Sequence, residues 1–269
     1  MSNIFDYYQS FLRATEQAAI EAAKLRGCED GKLADKAATE AMRSVLNEEP
    51  IHTRVVIGEG ERDDAPMLFI GEELGDKTSD IKIDIAVDPL ECTNSCAYNL
   101  PDSISVLAAA PKDALMGAPD TYMNKLCGSK ELIGHVSLEN SVSENLFGAA
   151  KALNKNNDDL KVIVLDRDRH IDLIAEIRAF GVEPILIKDG DVAGGLRAVE
   201  KELPHNPRVL INTIFTLGCF SRIFDTADAP LIFSRPLRCS PPDGYKSTLS
   251  PLLSPLIVLS RTFSIRRIL

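Results

Sequence analysis

The chain has 269 residues, of which 45% are hydrophobic and 26% charged, and its formal net charge is -10. This length and composition predict a soluble protein of one large or two small domains with a sizeable core. The negative charge argues against nucleic acid or an anionic membrane as a partner. The six cysteines form no Cys-x-x-Cys pair, so neither a zinc site nor a disulfide framework is indicated.

The N-terminal region has no run apolar enough for a secretion signal or a membrane span. We therefore expect a cytoplasmic protein, or a plastid protein if a transit peptide precedes this sequence. Free thiols are the default in a reducing compartment.

The first part of the chain predicts two helices and then a sheet. Apolar and small residues recur at helical spacing over residues 4–26, and the pattern stops at Gly27, a common helix terminator. A second amphipathic helix is predicted over residues 33–46, with Asp35 in its first turn. Strands are predicted over residues 55–57, 81–87 and 104–109. Because loops or helix-like segments separate these strands, the pattern favours a mixed sheet covered by helices.

Two of these strands end in carboxylates. One runs into the sequence GEGE at residues 58–61, where glycine lets the backbone turn and approach a ligand closely. The other runs into DPLECT at residues 88–93, so two carboxylates and a hydroxyl emerge where the strand ends. A single Asp or Glu is usually a solvated loop residue. The joint pattern is far more specific, and it predicts a functional site.

Carboxylate oxygens are the ligands that Mg²⁺ and Mn²⁺ prefer, and they leave open positions for water and phosphate. We predict Glu59, Asp88 and Glu91 as metal ligands, with Asp35 as a further ligand or as the base that orients a water molecule. Backbone N–H groups of residues 88–93 would form an anion nest for phosphate. The pattern therefore indicates a metal-assisted phosphatase.

Two further side chains are catalytic candidates on the same reasoning. The Thr93 hydroxyl could hold or polarise the attacking water. Glu61 is an outer member of the carboxylate group. Glu61 follows the first of the two strands and Thr93 follows the second, so both belong to the same predicted site.

The second half of the chain alternates strands and helices, which predicts a second α/β layer. A helix is predicted over residues 119–125 because Pro119 suits a first helical position, and Tyr122 lies near its start. Further on, helices are predicted over residues 141–153 and 171–180, and strands over residues 162–165 and 184–187.

Two polar segments follow the strands of this layer. The sequence RDRH at residues 167–170 opens a helix, so its basic groups could bind an anion near the positive helix terminus. A capped helix with solvated charges explains the same segment equally well. The segment DGD at residues 189–191 is either a simple turn or a pair of acceptors for sugar hydroxyls.

The composition changes after residue 203. Residues 204–269 contain eight of the 15 prolines, two of the 16 glycines and no Glu. Ser, Pro and Leu alternate there without a helical or strand period, which is typical of a disordered tail, a shifted reading frame or an unremoved intervening sequence. We therefore predict three parts, which are a metal-binding α/β phosphatase domain over residues 1–130, a second α/β layer with substrate-binding segments over residues 131–203, and an atypical Pro/Ser-rich tail over residues 204–269.

Five motifs lie in order along the chain: VVIGEGERDDAPMLFIGEELG, DIAVDPLECTNSCA, APDTYMNKL, DRDRH and KDGDVA. They resemble the class II fructose-1,6-bisphosphatases of bacteria and cyanobacteria, including the fructose-1,6-/sedoheptulose-1,7-bisphosphatases. The resemblance covers residues 1–195. It implies an α/β protein with the layered sugar phosphatase fold of the lithium-sensitive phosphatase superfamily, an α-β-α-β-α sandwich.

The resemblance also implies a set of site residues. The family's metal ligands would fall on Asp35, Glu59, Asp88 and Glu91. Its substrate contacts would fall on Glu91, Cys92, Thr93, Tyr122, Arg167, Asp168, Arg169, Asp189, Gly190 and Asp191.

The chain departs from the family's pattern at two places. The family has Gly where this chain has Cys92, and a side chain there would crowd the ligand or require an unfavourable backbone angle. After its DGD segment the family continues into Gly-Gly-Ala-Pro-Glu-Gly, whose Glu is a further metal ligand, whereas residues 211–224 here read INTIFTLGCFSRIF. The C-terminal part of the fold is therefore expected to be incomplete.

The implied activity is Mn²⁺- or Mg²⁺-dependent hydrolysis of the 1-phosphate of fructose 1,6-bisphosphate by a metal-activated water. Sedoheptulose 1,7-bisphosphate is a second implied substrate. The reaction would serve gluconeogenesis or the Calvin cycle. A homo-oligomer, either a dimer or a tetramer, is expected. The alternative is a catalytically impaired homologue that binds phosphosugars or partners an intact enzyme. Phosphate release from fructose 1,6-bisphosphate distinguishes the two.

Overall fold

The structure is a computed structural model that describes residues 4–59, 68–115, 122–199, 209–216, 231–236 and 256–261. The chain forms two compact units, Met1–Ala118 with Ser250–Leu269, and Pro119–Leu249. Within the described ranges, no helix is both long and apolar enough to cross a membrane.

Helices and strands alternate along the chain. The helices are α1 (Tyr8–Lys24), α2 (Gly31–Asn47), α3 (Thr93–Ala97), α4 (Val142–Leu153), α5 (Ile171–Ala179) and α6 (Asp191–Val199). The strands are β1 (His52–Ile57), β2 (Glu73–Gly75), β3 (Lys82–Glu91), β4 (Ile104–Pro111), β5 (Tyr122–Gly128), β6 (Lys161–Leu165), β7 (Ile185–Ile187), β8 (Val209–Thr216), β9 (Leu231–Pro236) and β10 (Leu256–Arg261). The α/β class that the sequence predicts is confirmed.

The first unit packs its two long helices against a five-stranded sheet. The strand order is β10-β4-β3-β1-β2, in which β1 and β3 run parallel and the other pairs run antiparallel. Large apolar side chains from both helices and from the sheet share one core, including Phe11, Met42, Leu46, Ile85 and Leu107. The mixed sheet covered by helices is therefore confirmed.

Both predicted N-terminal helices are confirmed, and local side chains explain their ends. The chain turns after α1 at Gly27, whose φ of +78° favours glycine. The carboxylate of Asp30 then caps α2 by accepting a hydrogen bond from the N–H of Leu33 at 3.1 Å. This cap fixes where α2 begins, and Asp35 follows one turn later.

An ion-pair network joins β1 to β3 in the same sheet. The guanidinium of Arg54 donates to both carboxylate oxygens of Asp84, at 2.9 and 2.8 Å. It also donates to Asp113 at 2.8 Å. Asp84 is only 1% exposed, so its charge depends on these donors.

Strand β3 is longer than the sequence predicts. It continues through Pro89 to Glu91, so the predicted end at residue 87 is wrong. The register between β3 and β4 shifts between Asp88 and Glu91. Proline has no N–H to donate to a sheet, and an irregular register is where a strand tolerates it.

The second unit holds another five-stranded sheet, in the order β7-β6-β8-β5-β9. Strand β6 runs parallel to β7 and β8, while β5 runs antiparallel to β8 and β9. Helix α5 connects β6 to β7 in a βαβ unit, as the alternating sequence pattern indicates. The Ser141 hydroxyl and the Glu144 carboxylate form a capping box at the start of α4.

Residues 122–125 form part of strand β5, so the predicted helix over residues 119–125 is wrong there. Residues 119–121 lie outside the described ranges. Pro119 and Asp120 give a local helix-start signal, but β5 pairs along its whole length with β8 and β9, more than eighty residues away in the sequence. Such distant pairing overrides local propensity.

The segment after residue 203 contributes three strands, β8, β9 and β10, to the two sheets. Residues 204–208, 217–230, 237–255 and 262–269 lie outside the described ranges. Disorder of the tail and the three-part domain division stay predictions.

Candidate active site

The ends of β1 and β3 bring Glu59 and Asp88 together. The two strands are parallel neighbours, with Ile57 of β1 paired with Ala86 of β3. Glu59 and Asp88 each lie two residues beyond this pair, and the carboxyl ends of parallel strands meet at one edge of a sheet. The two predicted metal ligands therefore lie side by side.

The carboxylates at this edge repel each other. Burial and, to a smaller extent, the charges of Asp35 and Asp88 together raise the pKa of Glu59 to about 8. Burial also raises the pKa of Asp35, in the first turns of α2. Three predicted site carboxylates from α2, β1 and β3 thus share one electrostatic environment, which a bound cation would relieve.

The backbone beneath Glu59 is fixed by Leu68. The N–H of Glu59 donates to the Leu68 carbonyl at 3.0 Å. A Cβ atom on Gly58 would lie 1.9 Å from that same oxygen, so only glycine fits there. Leu68 itself is fully buried and has a φ of +52°, which is rare for a bulky residue. The strained conformation aims its carbonyl at Glu59.

Glu91, Cys92 and Thr93 form the junction between β3 and α3. Cys92 has φ +67° and ψ +55°, the left-handed conformation that favours glycine, so the predicted unfavourable backbone angle is confirmed. Its thiol donates to a carboxylate oxygen of Glu91 at 3.0 Å, and its carbonyl accepts from the Ser103 hydroxyl at 2.9 Å. The thiol therefore occupies an oxygen of a predicted metal ligand.

Thr93 lies against the first turn of α2. Its Oγ1 atom would be 3.7 Å from a Cβ atom on Gly31. Asp35 lies one turn further along the same helix. A left-handed residue followed by helical residues is the backbone conformation of an anion nest. Cys92 and Thr93 have this conformation, so the predicted phosphate nest is limited to them, whereas residues 88–91 are strand.

No three His, Cys, Asp or Glu side chains among the described residues converge closely enough to hold one metal ion. Glu61 lies outside the described ranges. The donor chemistry fits a hard divalent cation, because the group contains only carboxylates and a hydroxyl. Asp35 and Asp88 are near enough to contribute to the raised pKa of Glu59, and their side chains would have to rotate to share one ion.

The second unit holds the predicted anion-binding segment. Arg167 precedes a single 3-10 turn, Asp168–His170, at the end of β6, with Asp168 and Arg169 exposed. His170 is fully buried, and because a carbonyl only accepts, its Nδ1–H donates to the Leu165 carbonyl at 2.8 Å. Burial lowers the pKa of His170, so the ring is neutral and fixes the turn that carries the two arginines.

The DGD segment lies at the start of α6. Gly190 has φ +84°, so the predicted turn is present, and Asp191 is the first residue of the helix. The N–H of Gly190 also donates to Asp189 at 3.1 Å. Tyr122 begins β5 in the same unit, and its predicted role as a substrate contact stays a prediction.

The sequence did not single out two buried residues: Leu68, which accepts from the N–H of Glu59, and Lys125 in β5. Had this segment been predicted as a strand, Lys125 would have been recognised as a candidate functional residue, because a lysine at an inward-facing strand position needs a partner. Leu68 gave no sequence signal, since a left-handed leucine cannot be recognised from its type.

The family profile described as bacterial fructose-1,6-bisphosphatase, glpX-encoded, matches residues 6–207. The chain belongs to this family. The resemblance drawn from the five motifs is thereby confirmed.

Curated relatives agree with the family. A relative in Thermosynechococcus vestitus is 47% identical over 196 residues, which cover 69% of this chain and 56% of that protein. Relatives in Synechococcus elongatus and Prochlorococcus marinus are 46% and 48% identical, over 69% and 70% of this chain and 57% and 56% of their own lengths. All three are named D-fructose 1,6-bisphosphatase class 2/sedoheptulose 1,7-bisphosphatase. The chain thus spans somewhat more than half the length of these relatives.

Solved structures give only a weak likeness. An inositol monophosphatase from Anabaena has a TM-score of 0.38 and 14% identity over 74% of this chain and 72% of its own. An extragenic suppressor from Pyrococcus furiosus has a TM-score of 0.38 and 11% identity over 73% of this chain and 71% of its own. Likeness at this level carries no information about function.

Proposed function

We propose that this protein is a phosphoric monoester hydrolase that removes the 1-phosphate of fructose 1,6-bisphosphate and also accepts sedoheptulose 1,7-bisphosphate. The observation that carries the proposal is the group of three carboxylates formed by Asp35 of α2, Glu59 after β1 and Asp88 of β3, in which Asp35 and Asp88 contribute to the raised pKa of Glu59. Family membership supports it, because the matched region contains all of these residues.

A divalent cation, Mn²⁺ or Mg²⁺, would be held by Asp35, Glu59, Asp88 and Glu91. When bound it supplies neutralisation of phosphoryl oxygens and a lowered pKa of water. The chain's own residues position the reactants. The Thr93 hydroxyl and the Asp35 carboxylate orient the attacking water, since Thr93 lies against Gly31 in the first turn of α2 and Asp35 lies one turn further along that helix.

We assign phosphate binding to Glu91, Cys92 and Thr93. We assign further substrate contacts to Tyr122, Arg167, Asp168, Arg169, Asp189, Gly190 and Asp191. The arginines supply positive charge for a phosphate, and the aspartates accept hydrogen bonds from sugar hydroxyls.

The non-catalytic alternative gains no support from the comparisons, since the named relatives are all bisphosphatases. A homo-oligomer stays a prediction, and light scattering of the purified protein measures it.

The test is phosphate release from fructose 1,6-bisphosphate with Mn²⁺, comparing the natural chain with Asp88→Asn and Asp80→Asn. Asp80 is an exposed carboxylate of the same unit, away from the strand exits, and is the matched control. We expect release from the natural chain and Asp80→Asn, and a loss of at least about 100-fold in Asp88→Asn. Equal release by Asp88→Asn and the natural chain contradicts the site, and no release from a folded natural chain contradicts the activity.

A second measurement does not depend on turnover. Calorimetric titration of Mn²⁺ should show a site in the natural chain and in Asp80→Asn that is weakened in Asp88→Asn. Equal affinity in all three proteins would remove Asp88 from the metal ligands.

A further inference from the structure

One face of β5 packs against α6. The thiol of Cys127 lies 3.7 Å from the carbonyl oxygen of Gly195, and a Cβ atom on Gly195 would lie 3.6 Å from the same sulfur. Cys127 shares a small core with Ala198 of the helix, whereas the neighbouring Leu126 belongs to the core on the opposite side of the sheet. The side of β5 that carries Cys127 therefore faces α6.

This packing places Lys125 opposite Asp191. Lys125 precedes Cys127 by two residues, so it lies on the same face of the strand. Asp191 precedes Gly195 by four residues, about one helical turn. The step of two residues from Cys127 back to Lys125 covers about 6.6 Å along the strand, and the step of four residues from Gly195 back to Asp191 covers about 6 Å along the helix. Because the two distances nearly match, Lys125 and Asp191 lie opposite each other as Cys127 and Gly195 do. The charge of Lys125 lowers the pKa of Asp191, which is consistent with this alignment.

Both charges are withdrawn from water. Lys125 is 9% exposed and Asp191 is 6% exposed. Burial raises the pKa of Asp191 to about 8; the charge of Lys125 opposes this rise, and the charge of Asp189 adds to it. The thiol of Cys127, the other titratable group on this face of β5, stays protonated because burial raises its pKa to about 12.

One carboxylate oxygen of Asp191 takes no part in the hydrogen bonds that the carboxylate accepts. The carboxylate accepts hydrogen bonds from the backbone N–H groups at the start of α6. Its Oδ2 atom is buried and has no hydrogen-bond partner among the described residues. A buried acceptor without a donor is unfavourable, so a hydrogen bond from a ligand donor to this atom would be stabilising.

We propose that Lys125 is a positioning residue whose ammonium neutralises the buried Asp191 carboxylate and keeps its Oδ2 as an acceptor for a hydroxyl group of the sugar bisphosphate. The proposal rests on the proposed function, since it concerns how that substrate is held. Lys125 itself touches no substrate. Its loss should therefore weaken substrate binding without slowing the chemical step.

The test measures steady-state kinetics of the full chain with Mn²⁺ for Lys125→Met, Lys125→Arg, Asp191→Asn and the double variant Lys125→Met/Asp191→Asn. We expect Lys125→Met to raise KM about tenfold with kcat within about twofold, and Lys125→Arg to restore KM to within about threefold. Asp191→Asn should raise KM, and adding Lys125→Met to it should raise KM no further, because the charge to be neutralised is gone.

A merely structural ion pair gives a different result. It lowers the urea midpoint of Lys125→Met but leaves KM within about twofold of the natural value, and this outcome overturns the proposal. Effects on KM that multiply in the double variant also overturn it. If Lys125→Met does not fold, Lys125→Gln keeps a polar group in the site and carries the same expected KM change.

A natural chain without turnover would contradict the proposed activity and not the role of Lys125. Calorimetric binding of fructose 1,6-bisphosphate then decides, with an expected affinity about tenfold weaker in Lys125→Met. Equal affinity in all variants, or no binding by the folded natural chain, overturns the proposal.

Discussion

Replacement of Cys92 by glycine should tighten metal binding. Cys92 has a φ of +67°, and its thiol donates to a carboxylate oxygen of Glu91 at 3.0 Å. Glycine removes the cause of the backbone strain and the thiol at once. The thiol then no longer competes with a cation for that Glu91 oxygen.

The magnitudes follow from these contacts. A left-handed conformation costs a non-glycine residue about 1–2 kcal/mol. Substitution by glycine recovers this free energy of unfolding. It also lowers the free energy of unfolding by about 0.5–1 kcal/mol through the greater entropy of the unfolded chain, and by about 1 kcal/mol through the loss of a buried side chain. The free energy of unfolding should therefore change by no more than about 1 kcal/mol. Freeing the Glu91 oxygen from a hydrogen bond of about 1 kcal/mol should strengthen Mn²⁺ binding about fivefold.

The assay is calorimetric titration of Mn²⁺, with urea unfolding of the same proteins and Cys92→Ala as the matched control. Alanine also removes the thiol but keeps the left-handed strain. It should gain the same fivefold in Mn²⁺ affinity and lose about 1 kcal/mol of stability relative to glycine. An affinity of Cys92→Gly within twofold of the natural value would refute the reasoning, because the thiol would then not compete for Glu91.

Three further predictions concern the first unit. In metal-free protein the Glu59 carboxyl, with its pKa raised from 4.5 to about 8, keeps a proton that the unfolded chain releases. Glu59 should therefore make the free energy of unfolding fall as pH rises from about 4.5 to about 8, by at most about 1.4 kcal/mol per pH unit. Glu59→Gln should reduce the fall measured by urea unfolding with EDTA at pH 5 and pH 8, while the raised pKa of Asp35 leaves part of it. Gly58→Ala should cost about 3 kcal/mol in urea unfolding and weaken Mn²⁺ binding, because its Cβ would meet the Leu68 carbonyl, whereas Gly71→Ala, with open space around it, should cost only about 1 kcal/mol. Arg54→Met should lower the free energy of unfolding by about 3–5 kcal/mol, because it leaves Asp84 buried and charged. Arg13→Met, which removes the exposed pair with Glu48, should lower it by no more than about 1 kcal/mol. Equal losses would show that the Asp84 pair is no stronger than a surface pair.

The sequence predicts the first unit well because its signals are local. Helical spacing up to Gly27 and the apolar runs of β1 and β3 do not depend on distant partners. The proximity of Glu59 and Asp88 also follows from the sequence, once the strands they follow are taken to be neighbours. The unfavourable angle at Cys92 was predictable because the family's pattern places glycine there.

Other features depend on contacts that no local pattern contains. Strand β5 owes its conformation to β8 and β9, so a proline-led helix signal was misleading. The end of β3 was missed because an irregular register accommodates Pro89 within the strand. Lys125 and Asp191 are 66 positions apart in the sequence, and only the packing of α6 on β5 makes them partners.

The hydrogen bond between Glu59 and the Leu68 carbonyl has a consequence for protein engineering. The backbone of Glu59 is held by a residue that carries no charge and is fully buried. A redesign of this edge that keeps every carboxylate but replaces Leu68 should therefore still displace Glu59, so Leu68 has to be kept together with the acidic residues.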